Sequence, residues 1–152
     1  MPTKPGLGLL ALLILGNCCV LAADKPTAGV DAEVKQWQGA WRAVSFEHEG
    51  QPTPADKLAK IKLTVDGSNY HFENGDFHER GIYQFDPSKN PKALDIHVGD
   101  GADKGKVYQV IYKFEADKLI ICLHSDNKQR PNAFTGKVDS GNVLETWERV
   151  KP

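Results

Sequence analysis

The chain has 152 residues and sets 19 lysines and arginines against 20 aspartates and glutamates, a formal net charge of −1. No basic excess is present to neutralise phosphates, so nucleic acid is excluded as an expected partner. The length suits one domain, large enough to bury about two-thirds of the surface that its unfolded chain exposes.

Residues 1–23 read as a secretory signal peptide. Lys4 supplies the positive start, an apolar run follows from Leu7 to Leu15, and the small residues Ala22 and Ala23 offer cleavage points. The segment predicts an exported protein, periplasmic or extracellular, with no membrane span after cleavage. Asn17 interrupts the apolar run and leaves it short of the roughly 20 residues that a bilayer needs. Two other readings are a retained anchor and a lipid-modified Cys18, although Asn17 then occupies a position where a small residue is normal. Cys18 and Cys19 leave with the leader, and Cys122 then stands alone without a disulfide partner.

Residues 24–36 form a tether that runs into a short helix. Val30, Val34, Trp37 and Trp41 recur at helical spacing, which predicts a helix over 31–38 with Gly39 at its C′ position. The period then changes to two. Residues 42–48 alternate as a half-buried strand with Val44 and Phe46 on one face. Glu49-Gly50-Gln51-Pro52 breaks the pattern, and 54–60 suits one or two helical turns.

Seven further strands are predicted at 61–65, 68–73, 76–85, 93–98, 106–114, 118–124 and 142–150. Asp66-Gly67, Asn74-Gly75, Asp86-Pro87, Asn90-Pro91 and Asp100-Gly101 punctuate them. No interval is long enough for a crossover helix, so neighbouring strands should be antiparallel. An all-β, eight-stranded antiparallel up-and-down barrel with a short N-terminal helix satisfies this order, because closure removes exposed edges.

Several short motifs recur along 37–152. They are Trp37-Gln38-Gly39-Ala40-Trp41, Gly50-Gln51-Pro52, Gly81-x-Tyr83 with Asp86-Pro87, and Pro91-Lys92-Ala93-Leu94-Asp95-Ile96. Lys104-Gly105-Lys106, Ile111-Tyr112, Leu119-x-Ile121-Cys122-Leu123 and Arg130-Pro131 follow. In this order and spacing the segment resembles a lipocalin-like domain found mainly in planctomycete bacteria, a family without an established function. The resemblance implies a barrel behind a signal peptide, with ligand binding in its interior as an expectation. In lipocalins the Trp of the Gly-x-Trp motif floors the barrel beneath a basic side chain from the closing strand. Here Gly39 and Trp41 match the motif, and Arg149 is the candidate partner. The disulfides of most animal lipocalins are missing.

Candidate functional residues fall into a few groups. A two-residue turn at Asn74-Gly75 would pair Glu73 with Asp76, Phe72 with Phe77 and His71 with His78. Two facing imidazoles could hold zinc or copper, but with both phenylalanines inward the pair His71 and His78 points to solvent and reads first as a surface polar pair. Cys122 and His124 share a strand face, yet such neighbours lie nearly 7 Å apart, too far for a thiol–imidazole hydrogen bond. Cys122 therefore reads as a buried thiol, and no catalytic constellation or cofactor is expected. The 99–105 loop lacks the acids of a calcium site and reads as a hairpin loop. The resemblance of Arg130-Pro131 to the family pattern implies a fixed structural bridge, from Arg130 to a carboxylate at the barrel rim.

The interior candidates are Glu79, Tyr83, Tyr108 and Tyr112. Strict alternation aims Glu79 inward near the mouth, where it needs a partner. A bulge near Gly81 would instead turn it to solvent. The chain is expected to be an exported, non-catalytic lipocalin-like module with a small hydrophobic molecule as its partner. The alternative is a solid-core interaction or envelope-associated structural module, in which Phe46, Phe72, Phe77, Tyr83, Phe85, Tyr112 and Phe114 fill the barrel completely.

Overall fold

The computed structural model describes residues 28–151, so the proposed signal peptide lies outside the described residues. Helix α1 (Ala28–Trp37) leads into β1 (Gly39–His48). A two-residue strand β2 (Gln51–Pro52) and a single helical turn α2 (Ala55–Leu58) follow. Then come β3 (Ile61–Asp66), β4 (Asn69–Asn74), β5 (Phe77–Asp86), β6 (Ala93–Asp100), β7 (Val107–Glu115), β8 (Lys118–His124) and β9 (Asn142–Arg149).

Each long strand pairs antiparallel with the next, and β9 returns to pair with β1. The result is a closed eight-stranded barrel of lipocalin-like type with a short N-terminal helix; β2 is a spur on β1. Alternation drives the closure. In β3, Ile61, Leu63 and Val65 are buried while Lys62, Thr64 and Asp66 are exposed. Among the described residues, no helix is long and apolar enough to cross a membrane.

Two boundaries differ from expectation by three residues, and others by one or two. Helix α1 begins three residues earlier than periodicity suggests, and β1 begins at Gly39, which pairs with Val65. The 49–52 break is a tight turn, with positive φ at Glu49 and Gly50, that brings Pro52 opposite Glu47.

The β4–β5 hairpin also corrects the predicted register. Its turn is Gly75-Asp76, with Asn74 opposite Phe77, Glu73 opposite His78 and His71 opposite Arg80. The expected register would have set Glu73 against Asp76, a like-charge pair that destabilises a hairpin. The observed register replaces it with a carboxylate–imidazole pair. Gly75, at φ 62°, occupies the first loop position, where glycine serves a II′ turn.

One end of the barrel is plugged. Trp37 is fully buried there, with Tyr83, Phe85, Tyr112 and Phe114 standing edge-on to it at centroid distances of 5.2–6.2 Å. Trp41 lies beside it and donates its indole N–H to the Trp37 carbonyl at 2.8 Å. Helix α1 is tied down by Glu33, which is only 6% exposed. Its carboxylate pairs with Lys92 and accepts a 3.0 Å hydrogen bond from Tyr112. Excision of Lys92 would leave a buried charge uncompensated.

A second, thinner apolar layer lies outside the wall. Ala93, Ile111 and Cys122 form a row across β6, β7 and β8, buried on the outer face. The 125–141 connection covers part of this row, and the Cys122 thiol points at the carbonyls of Ala133 and Thr135, 3.5 and 3.7 Å away. Arg130 anchors the same connection. It donates to the carbonyls of Leu94 (3.0 Å) and Val110 (2.6 Å) and meets Asp95 at 2.5 Å. Its carboxylate partner lies on the outer wall, near the start of β6, and not at the rim.

Candidate ligand cavity

Because aromatic side chains crowd the plugged end, the opposite half of the barrel is left open. A cavity of about 390 Å³ occupies it. Leu63, Phe72, Ile96, Ile121, Val143 and Trp147 form its apolar wall. Eight polar side chains interrupt that wall: His48, Tyr70, Glu79, Tyr83, Asp103, Tyr108, Ser125 and Glu145.

Glu79 points inward. The bulge anticipated near Gly81 exists, but its extra residue is Gly99 on β6, between the pairs Gly81–Val98 and Arg80–Asp100. The alternation of β5 is therefore unbroken, and the solvated alternative for Glu79 does not hold. Its partner is the Tyr70 hydroxyl, which donates to Oε1 at 2.8 Å. Burial pushes the Glu79 carboxyl above the usual carboxylate range, and the Tyr70 bond offsets part of that rise.

Tyr70 and Tyr83 stack face to face, with centroids 4.6 Å apart and planes 7° from parallel. Gly81 makes room for this arrangement. A Cβ there would fall 2.0 Å from the His97 carbonyl oxygen and 2.8 Å from Tyr70 Cε1. Both hydroxyls are held protonated, Tyr70 by burial and by Glu79, and Tyr83 by burial.

Glu145 enters from β9, on the same face as Val143 and Trp147. The Trp147 indole N–H donates to its Oε2 at 3.0 Å. Burial nevertheless dominates and pushes its carboxyl up to about 7. Asp103 behaves in the opposite way. Lys106, at 2.6 Å, and the Tyr108 hydroxyl, at 2.5 Å, hold it below the usual carboxylate range.

Of the four interior candidates, Glu79, Tyr83 and Tyr108 line the cavity together. Tyr112 does not. It is fully buried at the plugged end, bound to Glu33, because its place on β7 lies beneath helix α1. Gly39, Trp41 and Arg149 meet at that same end, far from the open half. Gly39, at φ 105°, turns the chain from helix to strand, and Arg149 lies across Trp41.

His71 and His78 lie on the outer wall, with ring centroids 5.9 Å apart. Glu73 joins them, and one donor atom from each residue lies within 4.8 Å of the others. Zinc holds tetrahedral nitrogen donors about 3.3 Å apart, so these side chains would have to draw together around an ion. The trio is separate from the cavity. Cys122 and His124 form no thiol–imidazole contact, and burial pushes the thiol up, away from the thiolate that nucleophilic chemistry requires.

Sequence reasoning missed Tyr70, Asp103 and Glu145. Tyr70 and Glu145 were accessible by alternation, from Phe72 in one strand and Trp147 in the other. Asp103 was not, since a loop residue has no periodicity to place it.

A closed barrel, plugged at one end and hollow at the other, defines the class of this protein as a lipocalin-like barrel. No protein-family model matches the chain, and no curated protein matches it. It is similar to a solved structure described as "NMR structure of the protein from Burkholderia xenovorans", at 12% identity over 100% of both chains, with a TM-score of 0.43. At that level of likeness nothing further is carried over.

Proposed function

We propose that this chain is an exported, non-catalytic module that binds a small, largely apolar molecule in the open half of its barrel. The observation that carries the reading is the cavity of about 390 Å³, apolar over most of its wall and set in a rigid closed sheet. Small-molecule sites usually enclose about 300–1,000 Å³ with a few fixed polar groups. Of the seven aromatic residues that could have filled the barrel, Tyr83, Phe85, Tyr112 and Phe114 gather around Trp37, while Phe72 and Phe77 line the cavity without closing it. The export reading rests on Lys4, the apolar run and Ala22-Ala23. The likeness of 37–152 to the planctomycete lipocalin-like domain supports the same reading. The buried, protonated Cys122 favours a binder over an enzyme.

Native mass spectrometry of the exported protein, before and after organic extraction, tests the proposal. An adduct lost on extraction, and regained with an apolar probe, is the expected result. A bare protein that also fails to take up neutral or charged apolar probes would point to the solid interaction module instead.

A further inference from the structure

We propose that the molecule held in this cavity carries a cationic amine on its apolar body, and that the two carboxylates on the cavity wall, Glu79 and Glu145, favour that charge. The inference rests on the reading of the cavity as a ligand site and names the chemistry of the ligand.

The argument begins with what each carboxylate lacks. Glu79 receives one hydrogen bond, from Tyr70 to Oε1, and Glu145 receives one, from Trp147 to Oε2. Among the described residues, neither Glu79 Oε2 nor Glu145 Oε1 is hydrogen-bonded. An ionised carboxylate has about four lone-pair sites to satisfy, so each of these groups is only partly served by the protein. Among the described residues, no lysine or arginine lines the cavity, and His48 is the one basic side chain on its wall. Lys106 stands nearest, but it is bound to Asp103 at 2.6 Å.

Asp103 makes the contrast clear. It lies at the mouth with both oxygens engaged, one by Lys106 and one by Tyr108. The protein has therefore neutralised the carboxylate nearest solvent and left the two deeper ones without a cation. Ordinary design runs the other way, because an unpaired buried charge is costly.

A neutral apolar ligand would worsen the position of Glu79 and Glu145. It would exclude solvent from them and offer no donor in return. An ammonium group offers up to three donors and a full positive charge. Tyr70, Tyr83 and Trp147 line the same cavity, and aromatic π electrons attract cations. An anionic ligand would meet repulsion from both carboxylates. The rise of the Glu145 carboxyl to about 7 follows from the missing countercharge, since burial without a cation drives the proton on.

Three probes of nearly equal shape test this on the full exported chain: 1-naphthylmethylamine, 1-naphthalenemethanol and 1-naphthoate. Titration calorimetry at pH 8 should rank them amine, alcohol, carboxylate, with the amine bound about ten- to a hundredfold more tightly than the alcohol. In Glu145→Gln, and separately in Glu79→Gln, the ratio of amine to alcohol affinity should fall. Both substitutions keep the shape of the side chain and one acceptor oxygen for Tyr70 or Trp147, and circular dichroism verifies the fold. An alcohol bound as tightly as the amine, or a preference unchanged in both variants, overturns this inference and leaves the cavity reading standing. If none of the three probes binds, the cavity reading falls and this inference with it.

Discussion

The guanidinium of Arg149 lies 4.2 Å from the centroid of the Trp41 ring, joining the last strand of the barrel to the first. The same group donates to the carbonyls of Gln38 and Gln36, the latter at 2.6 Å. One planar side chain thus covers the floor and ties off the end of α1. Lysine could supply the charge but not the two-pronged donor geometry. Arg149→Lys should lower stability by about 1 kcal/mol, and Arg149→Met by about 2 kcal/mol, in urea denaturation. Unchanged midpoints in both variants would show that the contact is ornamental.

The plug itself depends more on Trp37 than on Trp41. Trp37 is wholly buried, and its indole N–H has no hydrogen-bond partner among the described residues. Its contribution is therefore volume and ring contact. Trp37→Ala should cost about 3–5 kcal/mol, as large core truncations do. Trp37→Phe should cost clearly less, because no satisfied polar group is lost. Chemical denaturation of both variants measures the difference.

Gly81 tolerates no side chain. The His97 carbonyl oxygen lies 2.0 Å from where a Cβ would stand, and backbone cannot step aside as a flexible side chain can. Gly81→Ala should lower stability by about 3 kcal/mol or more, or prevent soluble expression. Gly67→Ala makes a useful comparison, since its Cβ would meet nothing within 4 Å and only its positive φ opposes the change.

Glu145 gives the fold a pH dependence of defined sign. Its carboxyl is raised to about 7 in the folded protein against about 4.5 when unfolded. The group's stabilising contribution is thus complete below about pH 4.5, declines as pH rises towards 7, and is flat above. Glu145→Gln should remove this slope and exceed the wild type in stability at pH 8 by about 2 kcal/mol, after allowance for solvent at the cavity mouth. The other acids of the cavity, Glu79 and Asp103, remain in both proteins, as do His48 and the tyrosines. Denaturation series from pH 5 to 8 on the pair therefore isolate the Glu145 term.

Much of this architecture was legible in the alternation of residues. Ile61, Leu63 and Val65 announce β3, and Gly39-Ala40-Trp41 marks the entry to the barrel. In the β4–β5 hairpin the Asn74-Gly75 dipeptide signals one register, and the repulsion it would set between Glu73 and Asp76 favours the other, which the structure adopts. Alternation also told which side of the wall a residue occupies, but not how far along the barrel. Tyr83 and Tyr112 both point inward, yet Tyr83 borders the cavity while Tyr112 lies under α1. That distinction arises from strand stagger and from a helix packing across one end, which are tertiary facts. Asp103 reached the mouth only through a loop conformation, set by its bonds to Lys106 and Tyr108.

The central claim is that a ligand enters the open half of the barrel and not the groove at its plugged end, which Gln36, Phe114 and Arg149 border. Methyl-selective NMR titration with 1-naphthylmethylamine tests it most directly. The methyls of Leu63, Ile96, Ile121, Leu123 and Val143 should shift together in one saturable step, while the Ala116 methyl in the plugged-end groove stays still. A shift confined to Ala116, or no saturable shift at any methyl, would contradict the account.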